Sequence, residues 1–302
     1  MLDNQKQKTL FKSLSYRCFY LLVVTILLLP AHRAYSFNGE CGPDFLNITV
    51  GAYSASMGQA NYAGMEGAEA VFGNPSLLGE NLSGFVSYQY LIMDTRMQAA
   101  SVNIPIQSNY SVALGIDIFD PGSISGYDDS GNPTGGVGSG DQMIRLSMAS
   151  RSSLSYGFSL SYYEQKLADV VGRGYGFGFG LSGYLGSNRI GLTVDNVGPE
   201  FEIGTSSTPL PSKFALSGWF PIHSRFINLS TDLIYSMETG IRLVGGFEYS
   251  PGDGLFFRAG GNNDVPLSLG FGLSSGSFIL DYSYVPSDLF GDRHLFSFSI
   301  ER

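Results

Sequence analysis

The chain has 302 residues, of which 43% are hydrophobic, 14% aromatic and 14% charged, with a formal net charge of −9 at pH 7. That sign argues against nucleic acid and anionic lipid headgroups as partners. No cysteine pair or histidine cluster has metal-site spacing, which argues against a metal or other cofactor.

The N-terminus opens with Lys6, Lys8, Lys12 and Arg17, followed by an apolar run from Cys18 to Ala31. The run falls short of the roughly 20 apolar residues that span a bilayer. Ala34-Tyr35-Ser36 places small residues where a signal peptidase reads, so residues 1–36 read as a cleaved secretory signal peptide, with a retained anchor helix as the alternative. Cleavage removes five of the 17 Lys+Arg and one of the 26 Asp+Glu, leaving a formal charge of −13. One cysteine, Cys41, then remains, without a lipobox before it, so no internal disulfide forms.

Residues 37–82 do not read as strands. They are rich in Gly and Ala, "MEGAEAVF" suits a short helical stretch, and Asn74-Pro75 suits an N-cap followed by proline at the first helical position. This segment is either a leader or a plug.

From residue 83 to 302 about fourteen segments alternate with period two, most near the 9 to 11 residues a tilted membrane strand needs. In "NYSVALGIDI", Val112, Leu114, Ile116 and Ile118 alternate with Ser111, Ala113, Gly115 and Asp117. In "SLSYGFSLSYY", Leu154, Tyr156, Phe158 and Leu160 alternate with Ser and Gly. Every second connection is short (107–109, 151–153, 186–188, 250–254, 274–276), and several of the others are long (119–140, 165–172, 196–211, 286–292). Short turns on one side and longer loops on the other are the pattern of an outer-membrane barrel. The predicted fold is therefore an all-β transmembrane antiparallel barrel of about fourteen strands, residues 83–302, with residues 37–82 as an N-terminal luminal hatch.

The stretch "RGYGFGFGLSG" contains Gly178, Gly180 and Gly183 at dinucleotide-loop spacing. Such a loop leads into a helix, whereas "NRIGLTV" follows here, which is a strand. The alternative is that the glycines form a lumen face pared to backbone, leaving room for something inside.

Asp117, Arg145, Asp195, Asp232, Arg242, Glu248, Arg258 and Asp281 fall on polar faces. They are either a cross-strand ladder that stabilises the wall, or an anchor for hatch backbone or for a carboxylate-bearing ligand. Catalysis needs a nucleophile or activated water with a base in reach. His223 and His294 stand in no Ser/His/Asp arrangement, so the chain does not read as an enzyme. Gly126–Gly136, with Asp128, Asp129 and Asn132, departs from calcium-loop spacing and reads as a solvated loop.

"GAYSASMGQANYAGMEGAEAVFGNPSLLGE" resembles the N-terminal signature of the FadL-like outer-membrane superfamily, especially its PorV/PorQ-like branch. Met57-Gly58-Gln59-Ala60 and Asn74-Pro75-Ser76 occupy the places of its Met-Gly-Gly-Ala and Asn-Pro-Ala runs. "RIGLTVDNVGPEF", with Asn196 and Gly198, resembles that family's strand ending in Asn-x-Gly, and "PLPSKFALSGWFPI" and "RHLFSFSIER" resemble later strands. The chain ends on Arg302 where such barrels end on an aromatic residue read by the insertion machinery. The resemblance implies outer-membrane lipid and the barrel assembly machinery as partners, and a hatch that includes Met57, Gly58, Asn74 and Pro75. It implies one of two functions: passage of hydrophobic, fatty-acid-like molecules, or service to the type IX secretion system as a partner for cargo proteins.

Overall fold

The computed structural model describes residues 41–302 except 61, 92–93, 123, 129, 224–225 and 287–291. The signal peptide predicted over 1–36 lies outside the described residues.

Alternation governs the wall. The strands are β1 (Ser83–Tyr90), β2 (Arg96–Gln107), β3 (Tyr110–Asp120), β4 (Ile124–Tyr127), β5 (Pro133–Val137), β6 (Ser139–Ser150), β7 (Leu154–Leu167), β8 (Val170–Leu185) and β9 (Asn188–Val197). They continue with β10 (Phe201–Ile203), β11 (Ser206–Thr208), β12 (Lys213–His223), β13 (Ile227–Ser236), β14 (Gly240–Gly252), β15 (Leu255–Asn262), β16 (Ser268–Ser275), β17 (Phe278–Val285) and β18 (Arg293–Glu301). Fourteen of them form one antiparallel sheet, and β4–β5 and β10–β11 are hairpins on the loops. The sheet closes because β1 pairs with both β2 and β18, and β8 with both β7 and β9. Closure leaves no sheet edge, the condition for backbone to cross hydrocarbon.

Side-chain parity is inverted relative to a soluble barrel. Leu114, Leu146, Phe158 and Phe177 are exposed, Phe158 at 56%, while Ala113, Arg145, Ser147, Ser159 and Asp117 are buried. The apolar set therefore faces lipid. Outward Tyr90, Tyr162, Tyr175 and Tyr235 ring one end, and Tyr110, Tyr156 and Tyr249 the other, as interfacial aromatic girdles do.

Three connections differ from expectation, one of them the 119–140 loop with its β4–β5 hairpin. A long loop is predicted over 165–172, yet β7 runs to Leu167 and β8 starts at Val170. The alternation of "EQKL" and "VVGR" continues past membrane depth, because Glu164 and Arg173 pair across the ladder at 3.1 Å. The 196–211 loop carries its own hairpin. Here β9 leaves β8 through a register shift between Phe177 and Phe179, and β10 takes its place with Glu202 opposite Arg173. Such a bulge re-aims a side chain: Asn196 adopts φ +56° and is buried, a conformation asparagine tolerates better than most residues.

The lumen is filled by the N-terminal segment. It begins at the rim with long loops, where Gly42 N donates to Pro209 O at 3.2 Å. A 3-10 turn (Asp44–Asn47) leads to helix α1 (Ala52–Ser56), whose first amide donates to Ser297 Oγ of β18 at 2.7 Å. Two further 3-10 turns, Gly67–Phe72 and Pro75–Leu77, carry the chain towards the rim with short turns. There Arg302 N donates to Leu82 O at 2.9 Å, just before β1 begins.

Candidate functional site

The hatch docks where the wall presents glycine. A Cβ on Gly157 would lie 2.5 Å from the Pro75 carbonyl carbon, and one on Gly246 2.6 Å from Met57 O. Gly260 faces the Met57–Gly58 peptide in the same way, and Gly180 faces Asn74. Gly58 has φ +72° and its own Cβ would strike the backbone of Gly261. Glycine is required at position 58, since only glycine combines this φ with such close approach. The run 172–180 is more mixed than its sequence suggests. Gly172 and Gly174 receive the Phe201 ring of β10, Gly176 the Tyr163 ring, and Gly178 Ser159 and Asp195; only Gly180 meets the hatch.

Asn74 has its full hydrogen-bonding capacity met and is 0% exposed. Its Nδ2 donates to Tyr62 O at 2.9 Å and Leu181 O at 3.4 Å. Its Oδ1 accepts from Ser76 N at 3.0 Å and Ser76 Oγ at 2.8 Å. Pro75 opens the following turn, and Met57 is buried against Ala215, Ile234 and Val244.

The predicted lumen charges all face inward and are buried. They form no single ladder but separate groups. Arg145 is clamped by four partners: Ser161 Oγ at 2.7 Å, Asp195 Oδ2 at 3.1 Å, Asn196 Oδ1 at 3.0 Å and the hatch carbonyl Val71 O at 3.3 Å. Asp232 Oδ2 accepts from hatch Tyr62 N at 3.3 Å. Arg242 donates to hatch Gln59 at 2.8 Å and pairs with Asp264 at 3.7 Å. Glu248, Arg258 and Asp281 form one triad, with Arg258 bonded to Glu248 at 2.7 Å and to Asp281 at 2.5 Å. Arg258 reaches Asp281 across β16 because Gly272 stands between them; a Cβ there would lie 2.8 Å from Arg258 Nη1. Its guanidinium lies 4.8 Å from the Tyr53 ring of α1, a cation–π contact.

Four further anchors did not stand out in the sequence. Arg189 donates to Ala63 O at 3.1 Å and pairs with Glu66, while lying 5.7 Å from the Trp219 ring. Arg151 donates to Leu78 O at 2.8 Å, Asn103 to Gly79 O at 3.0 Å, and Lys213 to Leu46 O at 2.5 Å. Inward parity was the available signal for Arg189, Asn103 and Lys213. Glu69, in the hatch, is buried with Oε1 lacking a hydrogen-bond partner among the described residues. Burial pushes its carboxyl up to about 8.

A cavity of about 50 Å³ opens beneath residues 45–50 at the long-loop rim. Asp117, Arg145, Lys213 and Arg242 border it together with Phe72 and Met143. Among the described residues no group of three His, Cys, Asp or Glu could hold a metal. In the 124–137 hairpin the Asp128 carboxylate accepts from Ser130 N, Asn132 N and Asn132 Nδ2 at 2.8–3.0 Å, so the turn itself occupies it.

No family model matches the chain, and no curated relative matches it in sequence. Solved structures are similar in fold. The Ralstonia pickettii toluene transporter TbuX is 15% identical with a TM-score of 0.56, over 88% of this chain and 99% of that one. The CymD monoaromatic hydrocarbon channel is 16% identical with a TM-score of 0.58, over 88% and 99%. A FadL homologue from Pseudomonas aeruginosa is 11% identical with a TM-score of 0.56, over 86% and 98%. The protein thus shares its fold with these three structures.

Proposed function

We propose that the protein resides in the outer membrane and passes small hydrophobic or amphipathic molecules across it. The observation that carries this reading is the threaded hatch. A lipid-sealed fourteen-strand barrel holds a plug packed to backbone contact at Gly157, Gly246 and Gly260. Such packing suits a gated passage for particular molecules and not an open aqueous pore. The fold it shares with a toluene transporter and a hydrocarbon channel supports the substrate class. The long loops face outward and the C-terminus faces the periplasm in this reading. Outward Phe296 and Phe298 of β18 suit recognition by the barrel assembly machinery.

The secretion-partner alternative needs an apolar outer surface for cargo. Phe201, a large apolar residue of the 198–212 loop, is only 1% exposed and packs against Gly172 and Gly174 of the wall. Passage is therefore the better supported reading.

The test is uptake of labelled toluene and of a long-chain fatty acid by intact cells with and without the protein in the outer membrane. Faster uptake of either, with no gain for a hydrophilic sugar, supports the reading. Equal uptake of both by the two strains, with the protein shown by fractionation to be in the outer membrane, rejects it.

A further inference from the structure

We propose that the cavity beneath residues 45–50 binds the hydroxyl end of its ligand, with Asp117 as the recognising group. This rests on the passage reading above and narrows its substrate class.

Asp117 lies on β3, is 2% exposed and borders the cavity, and its Oδ1 has no hydrogen-bond partner among the described residues. An orphaned buried polar atom costs about 1–3 kcal/mol, more if charged, so its place beside a void is informative. A second acceptor at the cavity, Asn47 Oδ1, is also without a partner among the described residues. Two of the three basic groups at the cavity are already matched. Arg145 has its four partners and Lys213 Nζ donates to Leu46 O. Arg242 bonds Gln59, but its Nε, 3.7 Å from Asp264, has no hydrogen-bond partner among the described residues. The unmet demand is thus for a group that can both donate, to Asp117 and Asn47, and accept, from Arg242 Nε.

Four ligand chemistries can be compared against that demand. A carboxylate can accept from Arg242 Nε but brings further acceptor oxygens to Asp117 and Asn47. A hydrocarbon leaves all three unmet. An ammonium donates, but leaves Arg242 Nε unmet and meets three cations, Arg145, Lys213 and Arg242, against two carboxylates, Asp117 and Asp195. A hydroxyl donates to an ionised Asp117, or accepts from a protonated one, and so fits either state. Size agrees with a head group: one water occupies about 10–15 Å³ on this measure, so 50 Å³ holds a few non-hydrogen atoms. An apolar remainder would lie along Phe72 and Met143, which share the lining.

The experiment measures binding of toluene, benzyl alcohol and benzoate to the full mature protein in nanodiscs, with empty nanodiscs subtracted. Benzyl alcohol is expected to bind about tenfold more tightly than either of the others. Asp117→Leu should abolish that preference while leaving toluene binding within twofold, and Asp117→Asn should retain part of it. Asn47→Leu, in the 3-10 turn Asp44–Asn47 and on no barrel strand, should weaken the preference too, and serves if Asp117→Leu does not fold. Equal binding of the three, tightest binding of benzoate, or a preference that survives Asp117→Leu overturns the hydroxyl assignment and leaves passage intact. Binding of none of them overturns the hydroxyl assignment, and the uptake test above decides passage.

Discussion

Asn74→Ala tests whether the hatch is held independently of the wall. Truncation removes the donor to Tyr62 O and the acceptor for Ser76 N, both in a site where Asn74 is 0% exposed. Ser76 Oγ keeps Ser182 Oγ at 2.9 Å and Leu181, the third backbone partner, stays paired in the wall between β7 and β9, so two backbone groups are left without a partner. At about 1–3 kcal/mol each, the docked hatch loses roughly 2–6 kcal/mol. The lower figure already raises the undocked population about thirtyfold. The wall ladder from β1 to β18 does not involve Asn74, so the barrel should remain closed. Limited proteolysis of protein in nanodiscs should cut within 57–82 at least tenfold faster than in the parent. Heat-modifiable migration on gels, the signature of an intact barrel, should persist. An unchanged cleavage rate in folded protein would refute the argument, and loss of heat-modifiability would show that hatch and wall fold as one unit.

Three further outcomes follow from the same contacts. Gly260→Val puts side-chain atoms into the Met57–Gly58 peptide; the hatch should become protease-sensitive while the wall forms, and a protected hatch would contradict the cradle. Arg258→Met leaves Glu248 and Asp281 buried without their shared cation; breaking such a group costs about 3–5 kcal/mol, so the chemical-denaturation midpoint should fall, and a parental midpoint would show the triad to be idle. Glu69 supplies a pH test. Its docked carboxyl is pushed up to about 8 by burial, above a free value of roughly 4.3. An acid raised in this way contributes stability that is fully present below the free value and lost as pH rises through the docked one. Hatch protection from protease should therefore decline between about pH 5 and 9, and Glu69→Gln should flatten the profile; an identical slope in the variant would exclude Glu69 as its cause.

Fold class was legible in the sequence because strand parity is a local property. Leu114, Ile116 and Ile118 alternate with Ala113, Gly115 and Asp117 whatever strand lies beside them, and period two alone assigns one set to lipid and the other to the lumen. The same parity marked Arg145, Asp232, Arg242, Glu248, Arg258 and Asp281 as inward. Asn74-Pro75 likewise announced its own turn, since a cap and its proline are neighbours in the chain. Which partner each inward group meets was decided only in three dimensions. Arg258 reaches Asp281 over Gly272, an arrangement that depends on three strands in register. Ala52 bonds Ser297 across 245 residues because the barrel closes and the hatch threads it. The glycines of β8 illustrate both levels. Their alternation was plain in the sequence, but their occupants, Phe201, Tyr163 and Asn74, come from a loop hairpin, a neighbouring strand and the hatch. A missing side chain declares space locally, while what fills the space depends on chain segments that only closure brings together.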